Sequence, residues 1–503
     1  MTDYDYIVVG AGSAGITAAT RLTDSPNTRV LLLEAGGDDQ IESVTIPAMW
    51  PTNLGGPLDW NYSSVPQKHA ANTSYPWPRG KLLGGSSSLN ACIWLRGDPS
   101  NFRSWVADGA VGWDYEDVLP FFKRIETTTG RDPEYRGTDG PLCVEPVAER
   151  HPVSVAMVNA AQEIGFKHND DFNSVTTTGV GRFDLSMIDG RRQSTAVAYL
   201  RPALGRPNLT VIPHATARRV LFDGLRATGV EYEVAGQVQE ATAAREIVLS
   251  GGAIGSPQLL MLSGVGPAEH LAELGIPLVR DLPVGDNLHD HILSGVTYRS
   301  KGPLPPTPSN WGDSSALYGS SYAKDEPDTQ LLFIQLPFLP PHLPGPDHGY
   351  TVGVGLMKPR SRGSLRLRDT NPHTDPLLDP QYLADPVDVA ILVEGLRKAR
   401  ELGESTSMEA LRDTEVYPGP HAVTDEELAE FLTIGSGTYY HPAGTCRMGA
   451  LDDESAVVDP KLRVRGIQGL RVADASVMPS VVSTNTNATS IMIGERVADF
   501  LQR

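Results

Sequence analysis

Tyr6-Ile-Val-Val-Gly10-Ala-Gly12-Ser-Ala-Gly15 is the stretch that decides the fold. An apolar run from Tyr4 to Val9 leads into glycines spaced Gly-x-Gly-x-x-Gly. A helical pattern follows from Ile16 to Leu22, then a second apolar run from Arg29 to Glu34. Strand, tight turn, helix and strand in that order open a doubly wound parallel sheet. Gly10 permits the turn, Gly12 lets the backbone approach a pyrophosphate, and Gly15 lets helix and strand pack closely. Ser13 and Ala14 sit where the helix N-terminus offers unpaired N–H groups and its positive dipole end to phosphates. Glu34, followed by Ala35, ends the second strand, where a carboxylate accepts hydrogen bonds from ribose hydroxyls and repels a 2′-phosphate.

Outward from this unit, bulk properties narrow the class. At 503 residues the chain exceeds one compact core and implies two intertwined domains. A net charge of -19 excludes nucleic-acid binding, which needs clustered Lys and Arg. Cys92, Cys143 and Cys446 form an odd set without metal-like spacing, so they read as reduced, buried residues, and no metal site is expected. The N-terminal stretch lacks a basic flank and a secretory apolar region. No apolar run reaches the roughly 18 residues that span a bilayer, so the expected setting is cytoplasmic, with no membrane span.

The pass along the chain predicts irregular crossing structure over 35–70 and helices over 113–125, 152–165 and 387–402. The pattern from Leu209 to Gly266 is read as strands. Long loops fill 301–349 around one strand near 330–338, and alternation marks strands over 350–357 and 363–368.

Near the C-terminus, His441 opens HPAGTCRMG and Asn485 lies within STNTNAT. A nucleotide fold that returns to present a histidine and an amide points to proton abstraction beside a redox cofactor. Histidine suits that task because its ordinary pKa of about 6.5 lies near working pH.

A second glycine and hydroxyl cluster, RGKLLGGSSSLNACIWLRG over 79–97, contains Gly84-Gly85-Ser86-Ser87-Ser88-Leu89-Asn90. A third stretch runs Gly252-Ala-Ile-Gly-Ser256-Pro257 to Gly266, and GLRVADASVMP begins at Gly469. Together with HPAGT, these four motifs resemble the glucose–methanol–choline (GMC) family of FAD oxidoreductases along essentially the whole chain. The resemblance implies an α/β fold: a Rossmann-type FAD-binding domain with an interleaved substrate domain on an antiparallel sheet. The expected boundaries are 1–150, 190–295 and 440–503 for the FAD domain, and 151–189 and 296–439 for the substrate domain.

It also implies roles for individual residues. Gly84, Ser88, Asn90, Ala91, Cys92 and Ile93 wrap the flavin and its ribityl-phosphate arm, and Ala217 touches adenine through its backbone. Asp474 and Ala475 meet the pyrophosphate and ribityl region, while Asn485 and Thr486 approach the flavin edge. His441 is the base and Asn485 holds the substrate oxygen. Some family members carry, in the glycine–serine cluster, a histidine that bonds covalently to FAD; Leu89 stands there here, so FAD is expected to be noncovalent.

Tyr439, Tyr440 and Trp94 are expected to line the substrate pocket, together with the loop around Asp313. Choline is disfavoured, because Ala91 replaces the serine of choline-specific members. The function expected is oxidation of a primary aromatic or aliphatic alcohol to an aldehyde by hydride transfer to the flavin, with oxygen as acceptor. Two alternatives stay open: a dehydrogenase using a quinone or protein acceptor, and a non-redox hydroxynitrile lyase. A light-driven fatty-acid decarboxylase is disfavoured by the His441–Asn485 pair.

Overall fold

The computed structural model describes residues 3–503. The strand Asp3–Val9, the helix Ser13–Leu22 and the strand Val30–Leu33 form where the glycine spacing places them. Asp3–Val9 lies between Val30–Leu33 and Gln237–Leu249. Leu209–Ile212 and Leu470–Val472 extend the same sheet, all in parallel register. The first half of Gln237–Leu249 pairs antiparallel with Arg226–Val234, which in turn pairs with Ala215–Asp223, so the same sheet ends in an antiparallel edge. At the centre of the sheet, Ile7–Val9, Val30–Leu33 and Ile247–Leu249 are apolar and buried on both faces, as helices on either side require.

A second seven-stranded sheet is antiparallel throughout. Its order is Arg412–Tyr417, Ile292–Ser300, Gly349–Leu356, Thr329–Ile334, Ser314–Tyr318 and Gly179–Arg182, with Gly437–Thr438 beside Ile292–Ser300. Helix Pro386–Glu404 packs on this sheet. A Cβ at Gly395 would lie 2.4 Å from Val354, so only glycine permits that approach. Leu293, Leu332 and Ile334 form a separate apolar cluster with Tyr439. The sheet thus fixes both a core and one wall of a cavity.

Three expectations change. Gly252–Leu262 is a helix rather than part of a strand run; apolar all round and buried, it carries no period to separate it from a buried strand. Ser314–Tyr318 is a strand inside the stretch read as loop, hidden by its serines and the prolines before it. Cys143 is only half-buried, whereas Cys92 and Cys446 are buried. Among the described residues, no helix is long and apolar enough to cross a membrane.

Candidate active site

One cavity of about 400 Å³ runs from the glycine turn to the C-terminal histidine. Three helices begin at its wall: Ser13–Leu22, Gly252–Leu262 and Asn487–Gln502. None is capped by the side chain of its own N-cap residue, and only the Gly252 N–H of the second is taken up, by Asp474. Uncapped N-termini leave donors and positive dipole ends for an anion. A Cβ built on Gly12 meets nothing within 4 Å, so that glycine borders open space, whereas one on Gly15 would lie 1.9 Å from the Gly10 carbonyl oxygen. Gly12 therefore leaves room beside the turn, and Gly15 permits the close packing of helix on strand.

Glu34 lines the cavity and is already gripped. Its carboxylate accepts the Ala11 and Gly36 backbone N–H groups, each at 2.8 Å. Burial lifts its pKa to about 7 against the pull of those hydrogen bonds. Each oxygen keeps a second lone pair for a ribose hydroxyl. Asp474 also lines the cavity, but its carboxylate is tied to the Ser256 hydroxyl at 2.6 Å and the Gly252 and Ser476 N–H groups. It organises the second helix N-terminus as well as facing the ligand space.

At the other end stands His441. Asn485 Nδ2 lies 3.3 Å from its Nε2, and His291 Nδ1 lies 2.9 Å from its Nδ1. Its backbone N–H donates to Asp290 Oδ1 at 2.7 Å. The Tyr382 and Thr438 hydroxyls both donate to Asp290 Oδ2, at 2.5 Å each. The preceding residue, Tyr440, has φ +66, a left-handed conformation costly for a non-glycine residue. It is held there by its N–H bond to Thr438 Oγ1 at 2.8 Å and by Arg79, which donates to its carbonyl at 2.6 Å. That turn swings the His441 ring towards the cavity. Burial, then the neighbouring His291 and Arg79, push the His441 pKa well below the ordinary histidine value, so the ring is neutral at pH 7.

The structure gathers most of the expected residues at the cavity: Gly10, Gly12, Ser13, Ala14, Glu34, Ala35, Asn90, Ala91, Ile93, Ala217, Tyr439, Tyr440, His441, Asp474, Ala475, Asn485 and Thr486. Gly15, Gly84, Ser88 and Cys92 sit one layer behind the wall. Gly84, at φ +89, takes a left-handed turn and donates to the Ala11 carbonyl at 2.8 Å, and Ser88 Oγ donates to the Leu83 carbonyl at 2.8 Å. Their part is to shape the loop that Gly85, Ser86 and Leu89 present to the cavity.

Trp94 is not a pocket residue. It is fully buried in the core, where its indole N–H donates to Glu126 at 2.6 Å. Asp313 is likewise fully buried, ion-paired with Arg182 at 3.3 Å, while its neighbours Asn310, Trp311 and Gly312 reach the cavity instead.

Sequence reading missed Asp290, His291, Arg79 and the aromatic wall of Trp50, Trp311 and Phe338. The signal for the first two was there: His289-Asp290-His291 is a polar run directly ahead of the apolar strand Ile292–Ser300. The Trp50 and Trp311 indoles each donate to a backbone carbonyl in the other's segment, Trp50 to Asn310 at 3.0 Å and Trp311 to Ala48 at 2.8 Å. This double link fastens the 3-10 turn Pro47–Asn53 across the cavity.

The donors fit a dinucleotide with a flavin at the histidine end. Uncapped helix ends and Gly12 border the space a pyrophosphate needs, Glu34 has lone pairs for ribose, and the buried Asn485 Oδ1 has no protein partner. Family models described as GMC oxidoreductase match residues 4–293 and 359–494. Mouse mitochondrial choline dehydrogenase is 40% identical over 533 aligned positions, covering 99% of this chain and 89% of that protein. Among solved structures, pyridoxine 4-oxidase from Mesorbium loti superposes with a TM-score of 0.95 at 34% identity, covering 99% of this chain and 98% of that one. A formate oxidase variant from Aspergillus oryzae, described with its FAD, gives 0.92 at 27% identity, covering 100% of this chain and 98% of that one. FAD is the cofactor that this cleft and these relatives share. The chain belongs to the GMC oxidoreductase family.

Proposed function

We propose that the protein oxidises an uncharged primary alcohol, aromatic or aliphatic, to its aldehyde, with oxygen as the final acceptor. One observation carries this reading. A neutral histidine Nε2 and an amide N–H stand 3.3 Å apart at the end of a cavity whose adjoining walls are aromatic and aliphatic. Bound FAD would supply the hydride acceptor and pass the electrons on. The chain's own residues do the rest. His441 Nε2 takes the hydroxyl proton, and the Asn485 amide donates to the substrate oxygen as negative charge builds there. Asp290 fixes the His441 backbone, and the Tyr440 turn aims the ring. Trp50, Leu293, Leu332, Ile334, Phe338 and Tyr439 hold the body of the substrate and keep water out.

No carboxylate joins those six walls, which favours an uncharged substrate. Choline is the discriminating member of any panel, because aromatic faces alone also attract a quaternary ammonium. The neighbour named pyridoxine 4-oxidase supports both an aromatic alcohol and an oxidase. The relative named choline dehydrogenase supports a second reading, with an acceptor other than oxygen.

The test is a panel of alcohols mixed anaerobically with the holoenzyme while the flavin absorbance is followed. Bleaching that air reverses, with hydrogen peroxide formed, supports the oxidase. Bleaching reversed only by a quinone supports the dehydrogenase. In His441→Ala the bleaching rate should fall by about 10²- to 10⁴-fold. No bleaching by any alcohol would overturn the redox reading in favour of a lyase.

A further inference from the structure

His441 is held by a partner that the reading above leaves unused. Consecutive residues grip it from two sides: Asp290 accepts its main-chain N–H, and His291 meets its ring. The two imidazoles stand nearly perpendicular, at 86° with centroids 5.1 Å apart, which brings Nδ1 to Nδ1 edge to edge.

Hydrogen-bond roles follow from donor chemistry. The amide Nδ2 of Asn485 can only donate, so the His441 Nε2 it faces must carry a lone pair. The proton of neutral His441 then sits on Nδ1. Across the 2.9 Å contact, His291 Nδ1 must accept it, so the proton of His291 sits on Nε2. That Nε2 is buried without a hydrogen-bond partner, and the Met357 and Val482 backbones bear on the ring.

We propose that His291 is the positioning residue of the base: by accepting the hydrogen bond from His441 Nδ1–H, it holds His441 in the tautomer whose Nε2 keeps its lone pair for the substrate hydroxyl. The proposal rests on His441 being the base. In the step itself, the alcohol O–H bond breaks and its proton forms an N–H bond at His441 Nε2. The Nδ1–H stays on His441 and its hydrogen bond to His291 becomes charge-assisted, so the cation is stabilised where it forms. A neutral acceptor does this without adding the negative charge that would keep His441 protonated at rest. The groups around the pair are few. Tyr439 lies beside both rings, and Lys358, paired with Glu326 at 3.3 Å, bears on His291 along with His289. Arg79 bears on His441, and the Asp290 carboxylate turns away to Tyr382 and Thr438.

The test has an arm that needs no turnover. In ¹⁵N-histidine-labelled holoenzyme, the His441 signals, identified by their loss in His441→Ala, should show hydrogen on Nδ1 and a lone pair on Nε2. Hydrogen on Nε2 overturns the proposal.

The kinetic arm compares His291→Phe, which removes the acceptor, with His291→Asn, whose Oδ1 can stand in for it. Flavin bleaching by alcohol should fall by about 10- to 100-fold in the Phe variant, the usual effect of losing a tautomer-fixing partner, and recover substantially in the Asn variant. His291→Asp, the same shape with a charge, should move the rise of kcat/KM to higher pH than His291→Asn. A Phe variant within about threefold of the parent, in a series where His441→Ala is inactive, sinks this proposal and leaves the base assignment standing. A His441→Ala variant that still bleaches normally sinks the base assignment itself. Should the Phe variant fail to fold or to hold FAD, the tautomer of the parent enzyme decides.

Discussion

Asp290 is the residue whose removal should be felt both in stability and in rate. Its carboxylate is 2% exposed and accepts three hydrogen bonds: the His441 N–H, the Tyr382 hydroxyl and the Thr438 hydroxyl. In Asp290→Ala those three donors remain buried without an acceptor. Each such donor costs about 1 to 3 kcal/mol. The costs do not add fully, because a water can enter the space left by the carboxylate. A net loss of about 3 to 5 kcal/mol is therefore expected, similar to breaking a buried charged pair. The Arg79 guanidinium also loses its largest opposing influence against burial, and Arg79 holds the Tyr440 carbonyl. Asp290→Asn keeps an oxygen for the His441 N–H but turns an amide towards two hydroxyl donors, so its cost should be smaller. The assay pairs thermal unfolding of the holoenzyme with anaerobic rapid mixing. Asp290→Ala should melt lower by on the order of 5 °C and bleach more slowly by about 10- to 100-fold, with Asp290→Asn between it and the parent. An Ala variant equal to the parent in both, or an Asn variant slower than the Ala variant, would refute the view that this carboxylate aims the base.

Three further outcomes are expected. Asn485→Asp should fold and bind FAD, yet lose on the order of 2 to 4 kcal/mol of transition-state stabilisation; parental bleaching rates would make Asn485 only a structural residue. Because burial holds His441 well below the ordinary histidine value, kcat/KM should rise with pH on the acid side of about 6.5 and be level above it. A midpoint above pH 7, for a substrate whose chemistry limits the rate, would contradict the neutral base. Leu89 lines the cavity and offers no nucleophile to the flavin, so acid precipitation should leave the yellow colour in the supernatant, and colour retained in the pellet would contradict noncovalent binding.

Sequence alone reached the nucleotide half of the fold because its determinants are local. Glycine spacing, an apolar strand and a closing acid lie within one βαβ unit, and each acts through backbone geometry that a short stretch fixes. The His441–Asn485 pair was legible for a related reason, since both lie in distinctive short motifs. What escaped was whatever depends on contacts between distant stretches. Asp290 and His291 acquire their roles only when Ile292–Ser300 pairs with Gly437–Thr438 and brings the two segments side by side. Trp94 carries the same side chain as Trp50, and only packing decides that one donates to Glu126 in the core while the other walls the cavity. Gly252–Leu262 escaped because a helix buried all round has no polar face to mark its period.

The helices Ser13–Leu22 and Asn487–Gln502 start side by side, joined by the Ser13 hydroxyl donating to Asn487 at 2.7 Å and by a contact so close that a Cβ on Gly494 would lie 2.4 Å from the Ala14 carbonyl oxygen. Two facing parts of the cofactor cradle thus come from stretches 474 positions apart in the chain. The Leu470–Val472 strand, paired parallel to Gln237–Leu249, and the start of the final helix complete the sheet and the cavity wall that the fingerprint opens. A chain cut before Asn485 loses that part of the cavity wall and is expected to purify colourless even if its first sheet forms, an outcome that its absorbance spectrum checks.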